Sequence, residues 1–101
     1  MRIKKIEFPV RRNGFIYELN KREQNIALVE VYDSINGGAL AGYEVWKVKQ
    51  TKPFVFEAYQ NEYDLIERQP STKDWGLNGF SYVNFIEAKQ KFEELLKASV
   101  K

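Results

Sequence analysis

Large apolar side chains recur at every second position through the first half of this chain and at every third or fourth position at its end. In Phe15-Ile16-Tyr17-Glu18-Leu19-Asn20, the residues Phe15, Tyr17 and Leu19 fall on one side of an extended strand, with Glu18 and Asn20 on the other. That is the pattern of a half-buried strand. The polar run from Asn20 to Asn25 separates it from Ile26-Ala27-Leu28-Val29-Glu30-Val31-Tyr32, whose β-branched and aromatic content suits a more central strand, so the two read as a hairpin. A turn-rich stretch, Asp33-Ser34-Ile35-Asn36-Gly37-Gly38, leads into Gly42 to Lys49 as the next antiparallel strand. Pro53 cannot donate to a ladder, which assigns Phe54-Val55-Phe56-Glu57-Ala58-Tyr59 to an edge. Ile3, Ile6, Phe8 and Val10 suggest a further N-terminal strand closed by an Asn13-Gly14 turn and interrupted by Pro9.

From Asn84 the period changes to that of a helix. Asn84 suits the N-cap, with Glu87 three positions on as its reciprocal partner and as a charge matched to the helix dipole. Phe85, Ala88, Phe92, Leu95, Leu96 and Ser99 then form one stripe, while Lys89, Gln90, Lys91, Glu93, Glu94 and Lys97 stay in water. Between Asn61 and Tyr82 no clean period emerges. Its last part, Trp75-Gly76-Leu77-Asn78-Gly79-Phe80-Ser81-Tyr82, packs two glycines and three large rings into a tight connection that positions side chains just before the helix. A long ordered connection of this kind is a candidate working surface. Together these elements predict one α+β domain over residues 1–101: an antiparallel meander of about four strands covered by one C-terminal helix.

Composition narrows the chemistry. The balance of 44% hydrophobic and 30% charged residues is that of a water-soluble globular domain, with no apolar run approaching the roughly 20 residues of a bilayer span and no signal-type segment after Met1-Arg2-Ile3-Lys4-Lys5. The expected location is the cytoplasm. With no histidine and no cysteine, Ser-His-Asp and Cys-His catalysis and Cys/His zinc sites are all excluded. What remains is carboxylate, lysine, tyrosine or hydroxyl chemistry, which needs pKa shifts that a sequence does not display. The chain therefore reads as a non-enzyme without a cofactor.

Candidate motifs point the same way. Gly37-Gly38 and Gly76-Leu77-Asn78-Gly79 lack the Lys-Ser or Lys-Thr of a phosphate loop. Asp33-Ser34-Ile35-Asn36-Gly37 has Ile35 at a ligand position of a calcium loop, so a hairpin turn explains it better. Glu62, Asp64 and Glu67 fit an exposed acidic segment. The net charge is only +2, but it is laid out in blocks: Arg2, Lys4, Lys5, Arg11, Arg12, Lys21 and Arg22 near the start, then Glu23, Glu30, Asp33 and Glu44. Opposite charges on neighbouring strands would neutralise such blocks. Tyr17, Tyr32, Tyr43, Trp46, Tyr59 and Tyr63 serve either the core or base stacking.

The order Gly42-Tyr43-Glu44-Val45-Trp46-Lys47-Val48, then Trp75-Gly76 with Gly79-Phe80-Ser81-Tyr82, then Ala88 and Phe92-Glu93-Glu94-Leu95, resembles a loose group of small, mostly uncharacterised proteins encoded by phages and other bacterial mobile elements. The resemblance implies a compact domain in a mobile-element setting and assigns no catalytic or ligand-binding residue. By analogy, small proteins of this kind act by occupying the surface of another macromolecule. The leading expectation is thus a protein-binding module or inhibitor whose contact residues are Trp75, Phe80 and Tyr82 with Arg11 and Arg12. The alternative is a nucleic-acid-binding accessory protein using Arg2, Lys4, Lys5, Arg11, Arg12, Lys47 and Lys49. Self-pairing through an edge at residues 54–59 is a third option, giving a homodimer.

Overall fold

The alternating segments pair as an antiparallel meander in the computed structural model, which describes residues 1–58 and 61–99 and, at Thr72 and Ser99, the backbone alone. In chain order the elements are β1 (Ile3–Lys4), β2 (Val10–Arg12), β3 (Phe15–Glu23), β4 (Ile26–Asp33), β5 (Ala39–Lys47), β6 (Lys49–Thr51), β7 (Leu65–Arg68), a short 3-10 turn (Thr72–Asp74), β8 (Gly79–Tyr82) and α1 (Phe85–Ser99). They build two sheets, one of five strands in the order β2-β3-β4-β5-β8 and one of three in the order β1-β7-β6. All neighbours are antiparallel except β1 and β7. Hence the α+β class and the single helix stand, but the expected single sheet of about four strands does not.

Local chemistry sets the meander. Asn13 and Gly14 carry φ of 52° and 81°, the left-handed pair that a two-residue hairpin turn requires between β2 and β3. The Asp33 carboxylate accepts from the Ile35 and Asn36 amides (3.0 and 3.2 Å) and from Asn36 Nδ2 (2.7 Å), so it is consumed by the turn into β5, as a hairpin reading expects. The polar run after Asn20 is not a separator. β3 continues to Glu23 through a bulge between Leu19 and Lys21, and only Gln24 and Asn25 turn the chain. The bulge resets the alternation: Lys21 lies opposite Leu28 and Arg22 opposite Ala27, which sends Arg22 to the other face of the sheet.

One face of the large sheet is closed by α1. Ile26, Leu28 and Val45 of the sheet and Ala88, Phe92 and Leu95 of the helix form one buried cluster, flanked by Tyr43, Phe80, Tyr82 and Leu96. Asn84 caps the helix as expected, its Oδ1 accepting from the Ile86 amide at 2.7 Å. The reciprocal bond expected of Glu87 is absent among the described residues. Ser99 of the expected stripe has a side chain outside the described atoms. No described helix is long and apolar enough to cross a membrane.

Where the sequence reading failed, charge or turn chemistry overrode it. Residues 54–58 form turns and bends after β6, not an edge strand, and Tyr59 lies outside the described residues, so pairing of two copies through that edge has no basis. The N-terminal stretch splits into β1 and β2, and the Phe8–Pro9 peptide between them is cis. The segment from Asn61 to Tyr82 contains two strands, of which β8 pairs with β5. Glu67 is buried, not solvated: Arg22 grips it with two bonds of 2.7 Å and the Ile6 amide adds a third at 3.2 Å. Charges are neutralised there between sheets. Across neighbouring strands, by contrast, Glu18 faces Glu30, whose carboxylate is held down by hydrogen bonds from Tyr32 (2.6 Å) and Asn20 (2.8 Å).

Candidate functional site

Alternation along the strands fixes what the second face of the large sheet displays. Ala27, Val29, Trp46 and Val48 are buried there beneath Ile6, Phe8 and Tyr17, with ring centroids 5.8 Å apart for Phe8 and Trp46 and 5.6 Å for Tyr17 and Trp46. Beside this patch the cover stops. A groove of about 360 Å³ opens, lined chiefly by Arg12, Tyr17, Glu44, Gln69, Trp75 and Ser81.

Trp75 forms its wall through a glycine-dependent approach. A Cβ on Gly79 would stand 2.3 and 2.4 Å from Cζ3 and Cε3 of the indole, so the ring rests directly on the Gly79 backbone. Its Nε1 donates to Ser81 Oγ at 3.1 Å, yet the residue stays 41% exposed. Asp74 holds the turn beneath it: its carboxylate pairs with Lys49 Nζ at 2.6 Å and accepts from the Ser71 amide and hydroxyl (2.9 Å each) and from Asn78 Nδ2 (3.1 Å). The lysine above all, then these donors, keep that carboxyl well below the usual carboxylate range.

Glu44 lies directly across from Ser81 and so beside the indole. One of its oxygens accepts from Trp46 Nε1 at 2.8 Å. Burial nevertheless pushes its carboxyl up, against the opposing pull of that bond and of Arg12. Burial, then Glu44, likewise raises the Tyr17 hydroxyl. Arg12 makes no ion pair among the described residues, leaving its guanidinium available at the groove mouth.

A second groove of about 450 Å³ continues from the first. It is lined by Lys4, Lys5, Glu7, Ile66 and Glu67 among others, and shares Arg12 and Gln69 with the Trp75 groove. The two adjoin at these shared residues and together form a trough, aromatic and acidic on the Trp75 side and, on the other, lined by Lys4, Lys5, Arg12 and Arg68 beside Glu7 and Glu67.

The five contact residues expected from sequence are thus separated. Arg12 and Trp75 meet in the trough. Arg11 points to the other face of β2, opposite Ile16, because successive strand residues alternate. Phe80 and Tyr82 pack beside the core under α1, away from Trp75. Lys49 is engaged by Asp74. Glu44 was missed, although its spacing of two from Trp46 places both on one face of a central strand and marks a carboxylate among apolar neighbours.

A different surface lies at the β6–β7 connection. The Glu57 amide donates to the Phe54 carbonyl (3.0 Å) and the Phe54 amide to Glu57 Oε1 (2.6 Å), closing a turn whose apex is Val55 and Phe56. Arg68 braces it, bonding Glu57 at 2.6 Å and Thr51 Oγ1 at 2.6 Å while its guanidinium lies 4.2 Å from the Phe54 ring centroid. Phe54 and Phe56 stack at 5.5 Å. Val55 and Phe56 are 83% and 86% exposed. Three adjacent apolar residues held out in water this way differ from scattered surface leucines.

No family model, no curated protein and no solved structure matches this chain.

Proposed function

We propose that this protein is a non-enzymatic binding module that docks on another protein, as an inhibitor or accessory factor, with the braced Phe54-Val55-Phe56 turn as its anchor. The observation that carries the reading is the combination of high exposure at Val55 and Phe56 with the Arg68–Glu57 clamp beneath them. An apolar knob that is already ordered loses little conformational entropy on binding, and large side chains entering a dry pocket supply most of the energy of many interfaces. The partner surface is accordingly concave and apolar. The resemblance to small mobile-element proteins agrees with such a role, which needs no catalytic group.

A photo-crosslinking residue at position 56 tests this in cell extract. The reading expects one defined polypeptide to be captured, displaced by excess unlabelled protein and lost when Val55 is changed to Asp. The same group at position 35, where Ile35 is 79% exposed on a different turn, captures nothing comparable. Equal labelling from both positions would show that the knob is merely sticky and would end the proposal.

A further inference from the structure

The trough on the second face meets the knob only through Arg68, which lines one wall and braces Glu57, and its groups converge on a different ligand. At the Trp75 end stand an exposed indole, the Glu44 carboxylate with one oxygen held by Trp46, and the Arg12 guanidinium, which makes no ion pair among the described residues. A carboxylate only accepts hydrogen bonds and a guanidinium only donates them. The matching ligand is therefore flat, with two adjacent N–H donors on one edge and acceptors on another. Among nucleobases, guanine alone has that layout: N1–H and the N2 amine for a carboxylate, O6 and N7 for an arginine. An unstacked base laid on an aromatic ring and read along its edges is how single strands are usually specified.

The adjoining groove suits the strand that would carry such a base. Leaving Arg12, the trough runs past Lys5, and two strongly charged wall residues are already occupied, Glu67 by Arg22 and Arg68 by Glu57. Phosphates on either side of the base would thus meet cations with few competing anions, Glu7 being the exception among the lining residues. Gln69, shared by both grooves, offers an amide between them.

We infer that this trough binds single-stranded nucleic acid, with a guanine seated between Trp75, Glu44 and Arg12 and its flanking phosphates on Lys5 and Arg12. A sugar chain on the same indole is the main competing occupant. The two differ in salt dependence and in the need for a base.

Fluorescence anisotropy of labelled eight-nucleotide strands tests the inference, comparing an all-uridine strand with one carrying a single central guanine. The guanine strand binds about tenfold tighter or more, and log affinity falls with log salt with a slope of about −1.4, the value for two phosphates neutralised on a single strand. Trp75→Ala weakens guanine-strand binding by about 10-fold to 100-fold, in line with the loss of one stacked base. Glu44→Gln brings the two strands to nearly equal affinity. Lys5→Ala weakens both alike and flattens the salt slope. Trp75→Phe, which keeps a ring on Gly79, retains most of the binding and shows that loss in the alanine variant is not unfolding. Absence of binding to either strand at 50 mM salt overturns the inference, as does a guanine preference that survives Glu44→Gln, or unchanged binding in folded Trp75→Ala. Val55→Asp leaves strand binding intact, so failure here is separable from failure of the protein-docking proposal.

Discussion

On the α1 side of the five-stranded sheet, Ile26, Leu28 and Val45 meet Ala88, Phe92 and Leu95 in one apolar cluster, with the Lys21 and Lys91 ammonium groups only at its edge, over the Phe92 and Phe80 rings. On the opposite side, Trp46 and Val29 are buried as well, but beneath Ile6, Phe8 and Tyr17, which are themselves only partly buried. The neighbouring ground is held by Glu44, Arg12, Tyr17 and a tryptophan balanced on a glycine. The first face is finished like a protein interior and the second like a surface kept ready for something else. Desolvated polar groups lower stability unless they are fully paired, so a half-buried carboxylate retained beside an open groove points to use and not to folding.

The largest effect expected on the closed face comes from Phe92→Asp, which buries an unpaired charge at the centre of the helix contact. A loss of more than about 4 kcal/mol, enough to unfold many domains of this size, should appear in urea denaturation followed by circular dichroism. A folded variant of near-normal stability would mean that α1 does not close that face.

Glu67→Ala comes next, and it reports on the joint between the two sheets. The Arg22 side chain is 21% exposed, so the loss should be about 2–3 kcal/mol, below that for a fully dehydrated pair. Arg22 above all lowers the Glu67 carboxyl in the folded protein, which makes this group stabilising above the ordinary glutamate value of about 4.3. That contribution disappears as pH falls through the lower folded value, and Asp74 behaves alike. Wild-type protein should therefore weaken below about pH 4, and Glu67→Gln should lose part of that dependence.

A pair of glycine substitutions compares backbone with side-chain crowding. A Cβ on Gly42 would meet the Tyr82 carbonyl oxygen at 2.8 Å, and that backbone belongs to β8, so Gly42→Ala should cost about 1–3 kcal/mol and speed amide exchange in β8. Gly79→Ala meets chiefly the half-exposed Trp75 ring, which can swing away, and more loosely the Pro70 side chain at 3.1 Å. It should cost about 1 kcal/mol while shifting tryptophan emission toward that of a solvated indole.

The closed face was legible in the chain. The helical stripe, the Asn84 cap, the Asn13-Gly14 turn and the central strands all follow from period and turn chemistry, because on that face local pattern and tertiary packing agree. The open face was not. β7 hid because Leu65-Ile66-Glu67-Arg68 has no alternation, its buried glutamate being satisfied by an arginine 45 residues away that only the bulge in β3 turns toward it. β8 hid behind its glycines, although Phe80 and Tyr82 keep the period of two. Pro53 followed by three apolar residues looks like a strand from sequence, and the Arg68–Glu57 brace that makes it a knob is a long-range contact. Of the candidate contact residues, the convergence of Arg12 with Trp75 depends on the return of β8 to the edge of β5, which no local signal announces.

The contrast between the faces rests most directly on Glu44. Glutamine keeps the oxygen that accepts from Trp46 and removes the charge whose burial pushes the carboxyl up. A raised folded value means the ionised group opposes folding above the ordinary range near 4.3, and this opposition vanishes once it is protonated in both states. Urea midpoints of wild-type and Glu44→Gln protein at pH 4 and pH 7 decide the matter. The account predicts equal midpoints at the lower pH and a more stable variant at the higher one. A variant less stable at pH 7 would show Glu44 to be a structural ion-pair partner and the open face to be ordinary packing.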